Sequence, residues 1–361
     1  MAELSPEIRQ RAEALLHTEV WDTLQIMQVP ASKVQFIQVE RDLPEPPEAR
    51  DIRIETWKQK LEERLSVLKE ANPHLTYQID MDTDRAGATE HLALFEVMSE
   101  GERRPRMWAG TTINLARKGA ERINDGFAIP VYPISYTEWI ATQNPDYAKV
   151  FREKGLPIPY AGIGVCVLIT TSDGYIPVTR RGIETPVYPG RLHVPGGGPR
   201  PGQSSSEAIL EEVVEELGLV TSRHFRPDNL TVLALISDSK FEGSDHPRPE
   251  LMAHLPVNAT FREVEQVQYE VSLQKNQRQE DVWGIVPVST FRPNLVRTLL
   301  YSGFEMCPPT EGGIAHLLFY QMAITEDVES ALSNMESIMR RIQSFERVSA
   351  YEPPIRRLST L

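Results

Sequence analysis

Cysteine is scarce in this chain of 361 residues: only Cys166 and Cys307 occur. A disulfide framework and a cysteine-built zinc site are both excluded, and the count fits a reduced compartment. Long apolar runs are missing as well. No stretch approaches the roughly 18 consecutive apolar residues of a membrane helix, and the charged start MAELSPEIRQRAEALLHTEVW has no signal-peptide core. Positive charge is in deficit, with 38 Lys and Arg against 51 Asp and Glu, a formal net charge of −13. That balance argues against a surface built to neutralise a nucleic-acid backbone, while leaving room for a local basic pocket. There is no Gly-Lys-Ser/Thr phosphate loop, and no Gly-x-Gly-x-x-Gly between a strand and a helix. What remains is a chain with 40% apolar and 25% charged residues, long enough for two domains. It is expected in the cytoplasm, without a membrane or a nucleic-acid polymer as partner.

The first part of the chain reads as a small α/β domain, residues 1–155. Val34–Val39 alternates like a strand, and a proline-rich link follows it. Ile54, Trp57, Leu61, Leu65 and Leu68 recur at helical spacing until Asn72-Pro73. Strands are predicted near Thr76–Met81, Leu92–Met98, Met107–Leu115 and Ala128–Ile134, then a helix over Tyr136–Glu153. Past the link Gly155–Pro159 a second domain spans 156–350, with a tail at 351–361. Gly162–Thr170 is a buried strand by its apolar run, and Ser172-Asp173-Gly174 is a turn joining it to a hairpin partner, Tyr175–Arg180. Further strands are predicted at Leu192–Val194, Thr231–Ile236, Leu251–Val257, Trp283–Val288 and His316–Ile324. In the last helix Val328, Leu332, Met335, Met339, Ile342 and Phe345 form one stripe, which either packs on the protein's own sheet or seams a homodimer.

The chemistry concentrates in PGGGPRPGQSSSEAILEEVVEELGL, residues 195–219. From Ser206 to Leu217 the helix carries Glu207, Glu211, Glu212, Glu215 and Glu216, and no lysine or arginine. Ile209, Leu210, Val213 and Leu217 share a face to be buried, and Glu212, Glu215 and Glu216 share the arc beside it. Glu211/Glu215 and Glu212/Glu216 are like charges one turn apart, each pair destabilising by roughly 0.2–0.5 kcal/mol. Glu215 and Glu216 also sit at the negative end of the helix dipole. A solvated acidic face is one explanation. A bound cation is the other, and carboxylate ligands without His or Cys select Mg²⁺, or Mn²⁺, over zinc. The glycines at 196–198 bring backbone close enough to approach a metal or a phosphate.

This segment resembles the Nudix box, G-x5-E-x7-R-E-U-x-E-E-x-G-U with U aliphatic. Gly197, Glu212, Val213, Glu215, Glu216, Gly218 and Leu219 match, while Gln203 stands for the first glutamate and Glu211 for the arginine. The resemblance implies an α/β/α sandwich with a mixed sheet, following the N-terminal α/β domain. It also implies Mg²⁺-dependent cleavage of a nucleoside diphosphate linked to another moiety. Glu212 and Glu216 are then the catalytic candidates, and Glu212, Glu215, Glu216 and the Gly196 carbonyl the metal ligands. Glu280, Glu250 and Glu311 are candidates for an additional acid. A second resemblance, to the UDP-glucose/UDP-galactose-hydrolysing Nudix branch, rests on Arg180-Arg181, Val194–Gly197 and a Cys307-Pro308 before an apolar strand. It implies a UDP-sugar split into UMP and sugar 1-phosphate. The alternative is a catalytically weak nucleotide-binding or regulatory protein of the same fold.

Arg180, Arg181 and Arg191 flank the glycine turn and suit a diphosphate, or serve as ordinary surface ion pairs. His193 is either a relay or a buried structural histidine. Trp108, Tyr132, Tyr136, Trp139 and Tyr160 could stack on a base or simply pack the core. Gln203 and Glu211 are expected to anchor the loop together: both members of the motif's ion pair have changed, and an amide can donate to a carboxylate.

Overall fold

The computed structural model describes residues 4–344, apart from 19–20, 42–43, 82–91, 99–101, 108–109, 117–118, 143, 183–187, 189, 239–247, 275–281 and 302–305. The N-terminal half comprises α1 (Pro6–Leu15), β1 (Trp21–Pro30), β2 (Val34–Gln38), α2 (Pro47–Ala71), β3 (Thr76–Met81), β4 (Leu92–Val97) and β5 (Arg103–Met107). It continues with β6 (Thr111–Leu115), β7 (Glu121–Ile123), β8 (Gly126–Ser135), α3 (Tyr136–Ala141) and α4 (Pro145–Glu153). The C-terminal half opens with β9 (Gly164–Thr170), β10 (Tyr175–Arg181), β11 (Leu192–His193), β12 (Gly196–Gly197), α5 (Ser205–Leu217) and β13 (Thr231–Asp238). It closes with β14 (Arg248–Pro256), α6 (Phe261–Gln274), β15 (Val282–Ser289), α7 (Arg292–Tyr301), α8 (Pro308–Thr325) and α9 (Val328–Ser344).

A mixed sheet in the order β1-β13-β14-β9-β12 forms the centre, with β14 and β9 parallel and the other neighbours antiparallel. Alternation along β9 divides the core in two. Cys166 and Leu168 face one layer with Ile236, Met252 and the buried side of α8. Val165, Val167 and Ile169 face the other, against Ile209, Val213 and Leu217 of α5. The result is the α/β/α sandwich with mixed strands. Each of those large α5 side chains contributes roughly 1.5–3 kcal/mol on burial. That outweighs the like-charge pairs on the same helix, so α5 forms despite its sequence of glutamates.

Several expectations are corrected. β10 is no hairpin partner of β9; the chain turns at Ser172–Gly174 but β10 joins a separate sheet, β11-β10-β15. His316–Ile324 is helix, part of α8, because the buried run from Pro308 to Phe319 is enclosed on every side and shows no amphipathic period. The Tyr136–Glu153 helix is broken in two, with Asn144 capping α4 and Pro145 in its first turn. The α9 stripe is buried within the chain, where Leu332, Met335, Met339 and Ile342 join the core shared with α8 and α1. It packs on helices rather than on the sheet and leaves no seam there; Phe345 lies outside the described residues.

The expected boundary near residue 155 is crossed by β1, which pairs with β13 from Trp21↔Asp238 to Pro30↔Thr231. The remaining N-terminal strands form two sheets of their own, β2-β8-β6 with β7 on β8, and β3-β4-β5. Among the described residues no helix is long and apolar enough to cross a membrane.

Candidate active site

Local rules place α5. Ser204 caps it, accepting from the Glu207 amide, while the Glu207 carboxylate accepts from the Ser204 amide at 2.9 Å. Gly218 ends it in the left-handed conformation, φ 70°. Between these stops Glu212 and Glu216 reach a cavity of about 410 Å³, beside Gly196, Gly197 and Gly198. The glycine turn is a short strand, Gly196 opposite Cys166 and Gly197 opposite Val165. A Cβ on Gly197 would lie 2.2 Å from the Glu212 carboxylate, so any side chain there would evict it.

Glu250 enters the same cavity from β14. It lies opposite Gly164, where a Cβ would fall 1.9 Å from its carboxylate oxygen. The Cys166 thiol donates to Glu250 Oε2 at 3.5 Å. Burial pushes the Glu250 carboxyl up to about 7, chiefly by desolvation, with Arg248 opposing the shift. The same burial, with Glu250 beside it, pushes the Cys166 thiol well up. His193 Nε2 lies 3.7 Å from Cys166 Sγ, and burial holds its imidazole down to about 3. It is therefore a neutral, buried histidine at ordinary pH.

The other expected residues divide. Arg181 lines the cavity. Arg180 instead donates to the Gly190 carbonyl at 2.8 Å, and Arg191 lies over the Tyr188 ring; neither lines it. Glu215 is exposed and Glu311 is buried in the first turn of α8, and neither lines it. Glu280 and Trp108 lie outside the described residues. Tyr136 and Trp139 line the cavity from the N-terminal half, as does Thr112, whose hydroxyl donates to the Pro199 carbonyl at 3.1 Å. Tyr132 is buried and bonded to Asn114.

Arg248 was missed, although it too lines the cavity. The signal was present: Arg248 stands two residues before Glu250 on a strand, hence on the same face. Arg200 was missed as well. Gln203 Nε2 donates to Glu211 Oε2 at 2.6 Å, as expected of the pair, and Gln203 Oε1 accepts from the Arg200 amide at 3.0 Å. The Arg200 guanidinium then pairs with both oxygens of Glu211. The loop thus supplies the cation and the helix the anion, the reverse of the Nudix pattern.

Among the described residues, no three His, Cys, Asp or Glu side chains are grouped closely enough to hold a metal ion as placed. The donor types nonetheless fit a hard divalent cation: the cavity's carboxylates and the backbone at Gly196 offer oxygen, and Glu212 rests in the space a side chain at 197 would fill.

The class now follows. The NUDIX domain family model matches residues 161–298, from just before β9 into α7. Residues 161–298 are thus a NUDIX domain. Among solved structures it is similar to DR0079 from Deinococcus radiodurans, at 20% identity over 40% of this chain and 76% of that one, TM-score 0.28. It is also similar to the MutT protein from Methanosarcina mazei, at 17% identity over 44% and 93%, TM-score 0.28. A bifunctional NMN adenylyltransferase/ADP ribose pyrophosphatase from Francisella tularensis matches at 12% identity over 53% and 48%, TM-score 0.29. No curated protein matches the sequence.

Proposed function

We propose that the protein is a divalent-metal-dependent hydrolase that splits the diphosphate of a nucleoside diphosphate linked to a second moiety. The observation that carries this reading is one cavity holding Glu212, Glu216 and Glu250 together with Arg181 and the glycine strand. Glu212, Glu216 and the Gly196 carbonyl would hold the cation. When bound, it would offset the diphosphate charge and lower the pKa of a bound water. Arg181 offers a fork for phosphate oxygens. Glu250, with a carboxyl near 7, is matched to take a water proton on its carboxylate oxygen at neutral pH. Thr112 and Gln203–Glu211–Arg200 hold the glycine loop from two sides. That anchoring favours turnover over the reading of a catalytically weak binding protein.

A UDP-sugar, giving UMP and sugar 1-phosphate, is the substrate we propose, supported by Arg180-Arg181 and Val194–Gly197. Cys307-Pro308 gives no support, since it opens a helix rather than a strand. The test is Mg²⁺-dependent release of monophosphate from UDP-glucose, ADP-ribose, NADH and dinucleoside polyphosphates. UMP from UDP-glucose at the highest kcat/KM is the expected result. A preference for another member would reassign the substrate, and no release from any would favour the binding reading.

A further inference from the structure

One charged group in the cavity has its surroundings built by both halves of the chain. Arg248 is only 4% exposed, yet it lines the cavity alongside Arg181. Its guanidinium lies over the Trp139 ring, 5.0 Å from the centroid, and over the Tyr188 ring at 5.9 Å. Trp139 is itself stacked on Tyr136 at 4.9 Å and 21°, and Tyr136 meets the edge of Trp57 at 6.1 Å. Trp57 is rooted in a hydrophobic cluster of the N-terminal half. On the other side the Tyr188 hydroxyl donates to Asp238, whose carboxylate also accepts from the Arg248 amide at 3.1 Å. Gly162 permits the close seat of Trp139, because a Cβ there would lie 2.7 Å from the indole.

Aromatic faces engage the plane of a guanidinium and direct its hydrogen bonding to the edge. The edge is the part that reads two oxygens of a phosphate at once. We propose that Arg248 is a specificity-determining residue that binds a phosphate of the substrate diphosphate, and that the N-terminal half sets its orientation through Trp139. This deepens the hydrolase reading and rests on it for the identity of the anion. Trp139 and Tyr136 act through Arg248 and are positioning residues.

The probe is inorganic pyrophosphate, titrated calorimetrically into the full-length protein in chelator. Arg248→Lys keeps the charge but loses the fork, and is expected to weaken binding at least tenfold. Trp139→Leu is expected to do the same, with Trp139→Phe restoring affinity to within threefold. With a nucleotide substrate and Mg²⁺, Arg248→Lys should raise KM at least tenfold while kcat falls less than threefold. A purely structural role would instead lower kcat and thermal stability together. Pyrophosphate affinity within twofold of wild type in Arg248→Lys overturns the proposal. So does wild-type affinity in Trp139→Leu. Loss of pyrophosphate binding in Arg248→Lys, in a protein that releases no monophosphate from any substrate, would uphold the anion site and reject only the hydrolase.

Discussion

The cavity has two walls of different origin. The acidic wall comes from the C-terminal half, with Glu212 and Glu216 one turn apart on α5 and the glycines just upstream. The aromatic wall comes from the N-terminal half, with Thr112 on β6 and Tyr136 and Trp139 on α3. The first is nearly contiguous in sequence, as the proposed metal binding would require of carboxylates at fixed helical spacing. The second is assembled across the fold by packing, and any residues of suitable shape satisfy it. Function on the acidic wall therefore rests on single atoms, and on the aromatic wall on surfaces.

That contrast breaks most sharply under single-atom changes. Glu216→Gln should cut turnover by ~100-fold or more if its carboxylate holds the metal, whereas exposed Glu215→Gln should lose at least about tenfold less. Steady-state rates at saturating Mg²⁺ check both, and equal losses would return Glu215 to the site. Gly162→Ala tests the other wall, since the new methyl collides with Trp139 at a φ of 85°. It should destabilise by about 1–3 kcal/mol and raise KM, as read from urea midpoints and steady-state kinetics.

Titration tests the C-terminal half next. Glu250 is raised from 4.5 to about 7, so its folded form holds a proton that the unfolded chain has released. Its stability contribution is full below pH 4.5 and lost as pH rises towards 7. His193, His254 and His316, held down to about 3, 4 and 3 by burial, run oppositely. Their contribution is present above pH 6.5 and lost as pH falls below it. Glu250→Gln should therefore gain stability relative to wild type between pH 4.5 and 7, by at most about 1.4 kcal/mol per pH unit. Urea midpoints in chelator across that range check this; parallel curves would mean that Glu250 ionises freely.

The smallest effect is expected at the loop anchor, where Arg200 is 64% exposed. Arg200→Ala should cost about 0.2–1 kcal/mol. Arg200→Glu with Glu211→Arg should recover most of what either single change loses. Additive losses in that double-mutant cycle would show that the reversed pair holds nothing.

The sequence announced its structure where a period or a stop was local. α2 ends at Asn72, α5 lies between Ser204 and Gly218, and Gln203 meets Glu211, all from neighbours a few residues away. It misled where burial erased the period, as in α8. It misled again where partners are far apart, since β10 leaves β9 for another sheet, and it was silent on Arg248 meeting Trp139 across the two halves. Arg200 was overlooked for a different reason, because the motif's template puts its arginine on the helix.

β1 carries a consequence for how the protein is made. It pairs with β13 more than two hundred residues later in the chain, and α1 beside it meets α9 through Arg11 and Glu329. At a synthesis rate of ~5–20 residues per second, β1 leaves the ribosome about 10–40 s before its partner exists. During that interval its unpaired backbone edge must be kept from other chains. A ribosome stalled between residues 40 and 230 would leave an open strand with no partner of its own, while a chain begun after residue 30 would leave β13 exposed at the sheet's margin. β1 is made well before it can be paired, and the sheet beneath the cavity closes only after both halves have been synthesised.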